Sequence, residues 1–254
     1  MPIIQSIERA LQILDLFDEQ TSELRITDIS RMMNLHKSTV HSLLKTLQVH
    51  RYIDQDAESD KYRLGMKLFE RGNLLLQSID IRTVARKHLL DLASQTGQTV
   101  NLVILDRSEG VYIDKVEGEK AVIRYSRIGR RIPLHSSAVG KVLAAFRSSS
   151  ELNALLDGYE FVGQTPKTIT DRVAFELELD NVKRDGWAVD NEENESGVRC
   201  VSVPVRDHQA QTAGAISVST LLSAVNDEQL QQIVKQLSDT ADRISVELGY
   251  IKSK

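Results

Sequence analysis

Residues 36–52 read HKSTVHSLLKTLQVHRY. On a helix, this stretch places its apolar residues on one face at i, i+3, i+4 and i+7 spacing: Val40, Leu43, Leu44 and Leu47. The opposite face then carries only donors and cations: Lys37, Ser38, Thr39, His41, Ser42 and Lys45. No Asp or Glu lies between positions 28 and 54, although the whole chain has a formal net charge of −4. Such a face suits a polyanion and predicts a helix that reads nucleic acid. This stretch alone is equally consistent with an ordinary helix whose polar face is only solvated.

The flanking sequence predicts a winged helix-turn-helix. Upstream, ITDISRMM (26–33) predicts a short helix whose inward residues are Ile26, Ile29, Met32 and Met33. Asn34 follows, and asparagine tolerates the left-handed backbone of a tight turn. Downstream, residues 52–54 and 62–64 predict two short extended segments around a polar tip. A hairpin in this position is the wing of a winged helix-turn-helix, whose second helix enters the groove.

Composition limits the classes of protein. The chain has 254 residues and a single cysteine, Cys200, which excludes an internal disulfide and suits a reducing cytosol. No apolar run approaches the ~20 residues that span a bilayer, and the N-terminus lacks a secretory signal pattern. We therefore expect a cytoplasmic protein without a membrane partner. Residues 1–66 carry ten Asp and Glu against eight Lys and Arg, so DNA binding would need a local patch, used in two copies.

Three segments follow from the apolar pattern. Residues 3–17 predict a first helix that packs on the helix-turn-helix pair through one stripe: Ile3, Ile7, Ala10, Leu11, Leu14 and Phe17. We expect residues 1–65 to form the DNA-binding domain and residues 66–80 a linker helix that packs between subunits, with a plain core helix as the alternative. Residues 81–254 then form a second domain.

The second domain reads as α+β. A helix from residue 81 ends before Gly97, and strands are predicted at 99–106, 111–117, 121–126, 187–190, 198–207 and 212–220. Further helices are predicted near 137–147, 151–157 and 171–185, and a long amphipathic helix closes the chain. Because the strands group in hairpins instead of alternating with helices, we expect an antiparallel sheet with helices packed on it.

Two stretches of the second domain carry binding chemistry. In RYSRIGRRIPLHSSAVGKVLAAF (124–146), four arginines precede a helix start: Arg124, Arg127, Arg130 and Arg131. Residues 135–137 (His-Ser-Ser) supply cap oxygens, and the small residues after them, at 138–140, let an anion approach the free backbone N–H groups of the helix start. An ordinary capped helix with solvated arginines is the alternative.

The second stretch is AVDNEENESGVRCVSVPV (188–205), followed by AISVS (215–219). Asp190 ends a strand, while Cys200, Ser217 and Ser219 lie on two neighbouring strands. Small polar groups on a sheet face, opposite a helix N-terminus, predict a pocket for a small polar anion.

Catalysis is the rival interpretation. Cys200, His135 and Asp190 could supply a nucleophile, a base and an orienting group. However, the cysteine lies in the middle of a strand, whereas activated thiols usually stand at sharp turns or helix N-termini. The same residues lack metal-ligand spacing. We therefore expect no catalytic residue, no metal and no cofactor. A protein-interaction module built on the winged helix is a further alternative, and salt-sensitive DNA binding would exclude it.

These motifs resemble the IclR family of bacterial transcriptional regulators over essentially the whole chain. The resemblance rests on KSTVHSLLKTL (37–47), IGRRIPLHSSAVGKVLAAF (128–146) and the 188–205 and 215–219 stretches. Together with SDKYRLGMKLFERG (59–72), the arginine-rich run is most similar to the KdgR-like subgroup, which senses 2-keto-3-deoxygluconate.

The resemblance implies an N-terminal winged helix, a linker helix and a GAF-like or profilin-like effector domain. It implies dimers or dimers of dimers on palindromic double-stranded DNA, and a pocket for a small carboxylate effector. We expect a repressor, in preference to an activator, that the effector releases from DNA. The family's effector pocket maps onto seven positions: Ala138, Val139, Asp190, Val198, Cys200, Ser217 and Ser219. His36 stands where the family often has proline, and the wing tip QDAESDK (55–61) is acidic. We therefore expect the wing to contact DNA through Lys61 and Arg63.

Overall fold

The computed structural model describes residues 3–18, 21–78, 80–121 and 126–252. The chain forms two compact units, residues 1–78 and 79–254. In the described residues, no helix combines the length and apolar character needed to cross a bilayer.

The first unit is a winged helix-turn-helix followed by one more helix. Its helices α1 to α4 span Gln5–Leu14, Ile26–Met33, Lys37–Val49 and Met66–Ser78. Its strands β1 and β2 span Ile53–Gln55 and Tyr62–Leu64. Val40 and Leu44 of α3 are fully buried, with Leu43 and Leu47 packed against the same core, so the predicted inward face is confirmed.

The turn and the wing take the predicted forms. Asn34 ends α2 in the left-handed conformation at φ 50°, which joins α2 to α3 tightly. Strands β1 and β2 pair antiparallel, with Ile53 opposite Leu64. Leu24 also bridges to Tyr62, a third wing segment that the sequence analysis missed. Behind the wing, Gly65 is required because a Cβ atom there would lie 2.2 Å from the Arg51 carbonyl oxygen.

Two assignments of inward residues in this unit were wrong. Ile13 and Leu14 of α1 pack on the core, as does Phe17 just beyond the helix, so the prediction holds for Leu14 and Phe17. The predicted Ile3, Ile7 and Leu11 are instead exposed. Two stripes on this helix fit the same spacing, because residues 10, 13, 14 and 17 also follow the i, i+3, i+4, i+7 pattern. The buried stripe is the one that includes Ile13 in place of Leu11. Met32 is likewise 55% exposed, and only Ile29 of α2 is fully buried.

The second unit contains an antiparallel sheet and five helices in its described part. The helices α5 to α9 span Ile81–Thr96, Ala138–Ala145, Ser149–Leu155, Arg172–Asp185 and Asp227–Glu247. The strands β3 to β8 span Thr99–Asp106, Glu109–Glu117, Arg131–Pro133, Ala188–Asn191, Val198–Arg206 and Thr212–Leu221. Their order in the sheet is β5-β4-β3-β8-β7-β6, and every neighbouring pair is antiparallel. The α+β prediction is confirmed.

The sheet separates two cores. One face carries Val100, Val201 and Val218 toward α5 and α9, whose long apolar stripe is buried as predicted. The other face carries Val103, Cys200 and Ala215 toward α6 and α8. Strand alternation explains the division, since neighbouring residues of a strand point to opposite faces.

The predicted strands differ from the observed ones in three places. Strand β4 begins at Glu109, so its hairpin turn is two residues shorter than expected. Strand β5 was not predicted, because three residues carry no period. The strand expected over 121–126 falls largely on residues 122–125, which lie outside the described residues.

Candidate functional site

The outer face of α3 carries the predicted polar groups. Five of the six predicted DNA-contacting residues on this helix are exposed, and Thr39 is half-buried. The Ser42 hydroxyl donates to the Ser38 carbonyl oxygen at 3.1 Å, so its lone pairs remain available to accept. Thr46 is also exposed and donates to the Ser42 carbonyl oxygen at 3.0 Å. Thr46 was not predicted, although its i+4 spacing from Ser42 could have indicated it.

The start of α3 is open to solvent. His36 is its N-cap and makes no side-chain capping hydrogen bond. The N–H groups of Lys37 and Ser38 have no intrahelical acceptor, as at the start of every helix. Both residues are exposed, so this end combines unpaired donors, a positive dipole end and a lysine, which are the groups that bind a phosphate.

The wing contributes less positive charge than its sequence indicates. Lys61 Nζ donates to Glu23 Oε2 at 3.2 Å, which offsets one of the two expected cations. Arg63 on β2 is exposed. At the tip, Asp56 accepts from the Ser59 N–H and hydroxyl, each at 2.8 Å, and these bonds hold its pKa below the usual value. The tip therefore stays anionic, as the sequence led us to expect.

The start of α6 is built in the opposite way. Ser137 accepts from the Gly140 N–H at 3.0 Å and donates to the Pro133 carbonyl oxygen at 2.7 Å. Ala138 and Val139 are 1% and 3% exposed, and their N–H groups meet no acceptor among the described residues. The third small residue, Gly140, serves packing instead of a ligand, because a Cβ atom there would lie 2.4 Å from Leu134 Cα.

The sheet face that packs against α6 carries small polar side chains on three strands. The register places Cys200 opposite Ser219 and Ser219 opposite Thr99. It also places Ser217 opposite Asn101. Directly opposed residues of an antiparallel sheet share a face, so these five form one surface, which we call the polar strip. All five are at most 5% exposed, and the Cys200 thiol donates to Ser219 Oγ at 3.2 Å.

Asp190 lies opposite Cys200 in the register and is 1% exposed. Its Oδ1 accepts from the N–H groups of Glu193 at 2.7 Å and Asn194 at 3.2 Å, so one carboxylate oxygen holds the turn after β6. Burial raises the pKa of Asp190 to about 7, against the opposing effect of these two hydrogen bonds. Val198, the remaining residue of the predicted pocket, is 4% exposed at the start of β7.

A buried lysine connects these parts, and the sequence analysis missed it. Lys141 is fully buried on α6, and its Nζ donates to Glu193 Oε1 at 2.7 Å, the Val189 carbonyl oxygen at 2.8 Å and Glu178 Oε1 at 3.1 Å. These bonds tie α6 to α8 and to the turn after Asp190. The sequence could have indicated Lys141, because it is the one charged residue in the apolar helix AVGKVLAA (138–145). A helix of this composition is buried, and a buried charge needs a partner.

Asn101 was also missed. It is 1% exposed, and its Nδ2 lies 3.3 Å from Ser219 Oγ and 3.5 Å from Ser217 Oγ. The pattern could have indicated it, because Thr99 and Asn101 are the polar residues at alternate positions of the otherwise apolar start of TVNLVILD.

The described arginines of the 124–131 run lie on the surface. Arg127, Arg130 and Arg131 are exposed, and Arg131 pairs with Asp106 and Glu109. Arg124 lies outside the described residues. Of the two carboxylate partners that the sequence left open, the start of α6 is buried, whereas the described arginines are exposed.

The catalytic alternative has little geometric support. His135 Nδ1 lies 2.8 Å from the Tyr159 hydroxyl and its Nε2 lies 3.0 Å from the Val162 carbonyl oxygen, so both ring nitrogens are engaged away from Cys200. Burial lowers the pKa of His135. The Cys200 thiol in turn bonds to Ser219, and a base within reach of the thiol is the first requirement for activating it.

Comparison with known proteins identifies the class. Residues 6–57 match the IclR helix-turn-helix domain, and residues 73–246 match the bacterial transcriptional regulator IclR C-terminal family. The chain is 56% identical to the HTH-type transcriptional regulator XynR of Escherichia coli (strain K12), over 98% of this chain and 99% of that protein. It is 38% identical to the HTH-type transcriptional regulator KdgR of the same organism, over 97% and 94%.

The fold agrees with a solved structure of the same class. The crystal structure of the Thermotoga maritima IclR superimposes with a TM-score of 0.65 at 34% identity, covering 97% of this chain and 99% of that one. The relatives of this chain are named as transcriptional regulators, and the KdgR-like resemblance is confirmed alongside the higher identity to XynR. The chain therefore belongs to the IclR family of bacterial transcriptional regulators and binds DNA.

Proposed function

We propose that this regulator is a cytoplasmic repressor that leaves a palindromic operator when a small sugar acid or 2-keto acid, such as 2-keto-3-deoxygluconate, binds its second domain. The observation that carries the proposal is the enclosed start of α6. Two buried N–H groups, at Ala138 and Val139, face no acceptor among the described residues and stand at a positive dipole end. Repression requires only that the bound protein block the promoter.

For DNA reading, the exposed groups of α3 divide into two roles. Lys37 and Lys45 lie near the ends of the outward face and suit phosphate anchoring, which positions the helix without reading sequence. Thr39, His41 and Ser42 lie between them and suit base edges. Arg63 is the wing residue that we expect near a phosphate, and Lys61 would need to exchange Glu23 for DNA. Ser38 contributes an N–H group at the helix start.

Few cations face the DNA, so tight binding requires two half-sites read by a dimer. An exposed apolar face of α1 supports this assembly, with Ile3, Ile4, Ile7 and Leu11 each at least 55% exposed. On α4, Phe69 and Leu74 are likewise exposed. We propose that these faces meet in a homodimer, which pairs again in a dimer of dimers. A sedimenting monomer that still bound one half-site tightly would contradict this.

In the effector site, the carboxylate accepts from the N–H groups of Ala138 and Val139. Ser217 and Ser219 contact the keto end, and Val198 and Cys200 line the floor. Asp190 takes a hydroxyl through the oxygen that the turn does not use. Binding weakens the operator complex only if the effector prefers the released conformation by a few kcal/mol, since a ligand shifts an equilibrium only by its differential affinity.

The test begins with DNA fragments selected from the source genome by purified protein, because the neighbouring genes would show whether a sugar-acid pathway is regulated. Operator affinity is then measured with 2-keto-3-deoxygluconate and with an analogue that lacks the carboxylate. We expect only the acid to release DNA. Equal release by both compounds would contradict the anion site. Release by neither compound would contradict the assigned effector, while family membership would stand. Turnover of the acid that disappears in Cys200→Ser would contradict the non-enzymatic role.

A further inference from the structure

Two buried polar atoms on strand β3 have no hydrogen-bonding partner among the residues that the structure describes. Asn101 is 1% exposed, and while its amide nitrogen reaches the Ser217 and Ser219 hydroxyls, its Oδ1 meets no hydrogen-bonding group in the described part of the chain. Thr99 is fully buried, and its Oγ1 also meets none. Both residues belong to the polar strip and share its face with Cys200. Two adjacent unsatisfied oxygens on one face of a sheet require an explanation, since buried polar groups almost always have a partner.

The same face shows that the fold can satisfy such groups. Ser202 lies opposite Ser217 in the register and is fully buried, yet its hydroxyl donates to the Ile216 carbonyl oxygen at 2.9 Å. Within the polar strip, the unsatisfied side-chain atoms of the described residues are the two on β3, on the far side of Ser217 and Ser219 from Cys200. Elsewhere in the sheet, β4, β6, β7 and β8 each carry one more such atom, at Asp114, Asn191, Arg199 and Thr212. Folding alone gains nothing from leaving the two β3 atoms there, because each loses its hydrogen bonds to water on burial.

We infer that Asn101 and Thr99 form a hydroxyl-binding subsite that selects a longer, polyhydroxylated acid over a short keto acid. This inference rests on the proposed effector site and specifies its substrate class. From Cys200 on β7 to Thr99 on β3, the polar strip crosses two strand spacings, about 10 Å, which exceeds the length of a three-carbon acid. With the carboxylate at α6, the hydroxyl-bearing tail reaches β3, where Asn101 Oδ1 and Thr99 Oγ1 accept from it. The Thr99 hydroxyl can also donate.

Selectivity of this kind follows from the buried acceptors. A site that holds unpaired polar groups discriminates strongly against a ligand that leaves them unpaired, whereas an apolar wall discriminates weakly. Pyruvate would occupy the start of α6 but leave both β3 oxygens without partners. A six-carbon hydroxy acid satisfies them.

The test is calorimetric titration of the full chain with 2-keto-3-deoxygluconate and with pyruvate. The variants are Thr99→Val, which keeps the shape and removes only the hydroxyl, and Asn101→Ala; Ser202→Ala is the matched control on the same face. We expect each of the two β3 variants to weaken 2-keto-3-deoxygluconate binding about tenfold. Pyruvate binding should change less than about twofold in all variants, and Ser202→Ala should bind both acids as the wild type does.

The outcomes separate this inference from the proposed function. Unchanged 2-keto-3-deoxygluconate affinity in both β3 variants would overturn the inference, because a bound water would then satisfy the two oxygens. Equal loss of both acids would also overturn it, since the residues would then act only through the fold. Wild-type protein that binds neither acid would contradict the proposed effector class, and the inference would fail with it. Wild-type protein that binds pyruvate alone would contradict the inference and leave the anion site intact.

Discussion

Helices α3 and α6 both present an N-terminus, but in opposite surroundings. Helix α3 begins at exposed Lys37 without a side-chain cap, and its outer face is polar. Helix α6 begins behind the Ser137 cap, and all eight of its residues are buried, including Lys141. The start of α3 is therefore open to a large anion in water, whereas any anion at the start of α6 would have to be small and to lose its water.

The difference shows how environment decides what a helix start can bind. In water, each contact with a phosphate is screened, so an exposed helix start binds a polyanion tightly only when several cations or several copies act together. In an enclosed site, the same N–H groups are strong ligands, but every other charge must be paired. The three partners of Lys141 meet that requirement.

The largest effect is expected from a variant that removes the ion pairs of Lys141 on α6. Lys141→Met removes a cation that is 1% exposed and leaves Glu193 buried without its counter-charge. We expect the free energy of unfolding to fall by about 3–5 kcal/mol. Trp187, the single tryptophan, lies in the second unit, so its fluorescence during denaturant unfolding reports that unit.

The matched control is Lys183→Met, which removes an exposed lysine paired with Asp180 on α8. It should change stability by less than about 1 kcal/mol. Adding Glu193→Gln to Lys141→Met should recover part of the loss, because the unpaired charge is then gone. A Lys141→Met protein as stable as the wild type would show that the enclosed charges need no pairing and would remove the contrast with α3.

The second prediction concerns pH. Burial raises the pKa of Asp190 from 3.8 to about 7. The charge of Glu193 also raises this pKa, and the charge of Lys141 lowers it. Between about pH 4 and pH 7 the folded state therefore binds a proton that the unfolded state has released, so this group stabilises the fold at low pH and the stabilisation is lost as pH rises. Asp190→Asn removes the titration while keeping an oxygen that can accept from the turn.

The difference in unfolding free energy between wild type and Asp190→Asn should change by about 2 kcal/mol between pH 5 and pH 7, with the wild type losing stability relative to the variant. Denaturant titrations across this range measure it. His41→Ala on the exposed face of α3 is the control and should not reproduce this trend. A difference independent of pH would mean that Asp190 ionises normally in the closed site.

The smallest effect concerns α3. Lys45→Ala should weaken binding to all DNA sequences and reduce the slope of log affinity against log salt by about one unit, because one phosphate contact is lost. Lys235→Ala, an exposed lysine on α9, is the control. Fluorescence anisotropy with operator and scrambled duplexes at several salt concentrations measures both. Unaltered affinity and slope in Lys45→Ala would remove this lysine from the contact surface.

Local patterns were sufficient for much of this protein. The spacing of Val40 and Leu44 identified the inward face of α3, and Asn34 identified the turn before it. Alternation and glycine signals located most strands and the ends of α5 and α8 at Gly97 and Gly186. These features follow from neighbours within one or two turns of chain, which the sequence displays directly.

Other features depended on contacts between distant segments. Periodicity alone permits two stripes on α1, and only the packing of Ile13 chose between them. Likewise, Lys141 meets Glu178 and Glu193, 37 and 52 residues away, while Asn101 meets Ser219 across the sheet. By itself the sequence determined the helices, most of the strands, the exposed polar face of α3 and the family. Only the tertiary structure decided which polar groups lose water together, because burial is a property of the assembled layers.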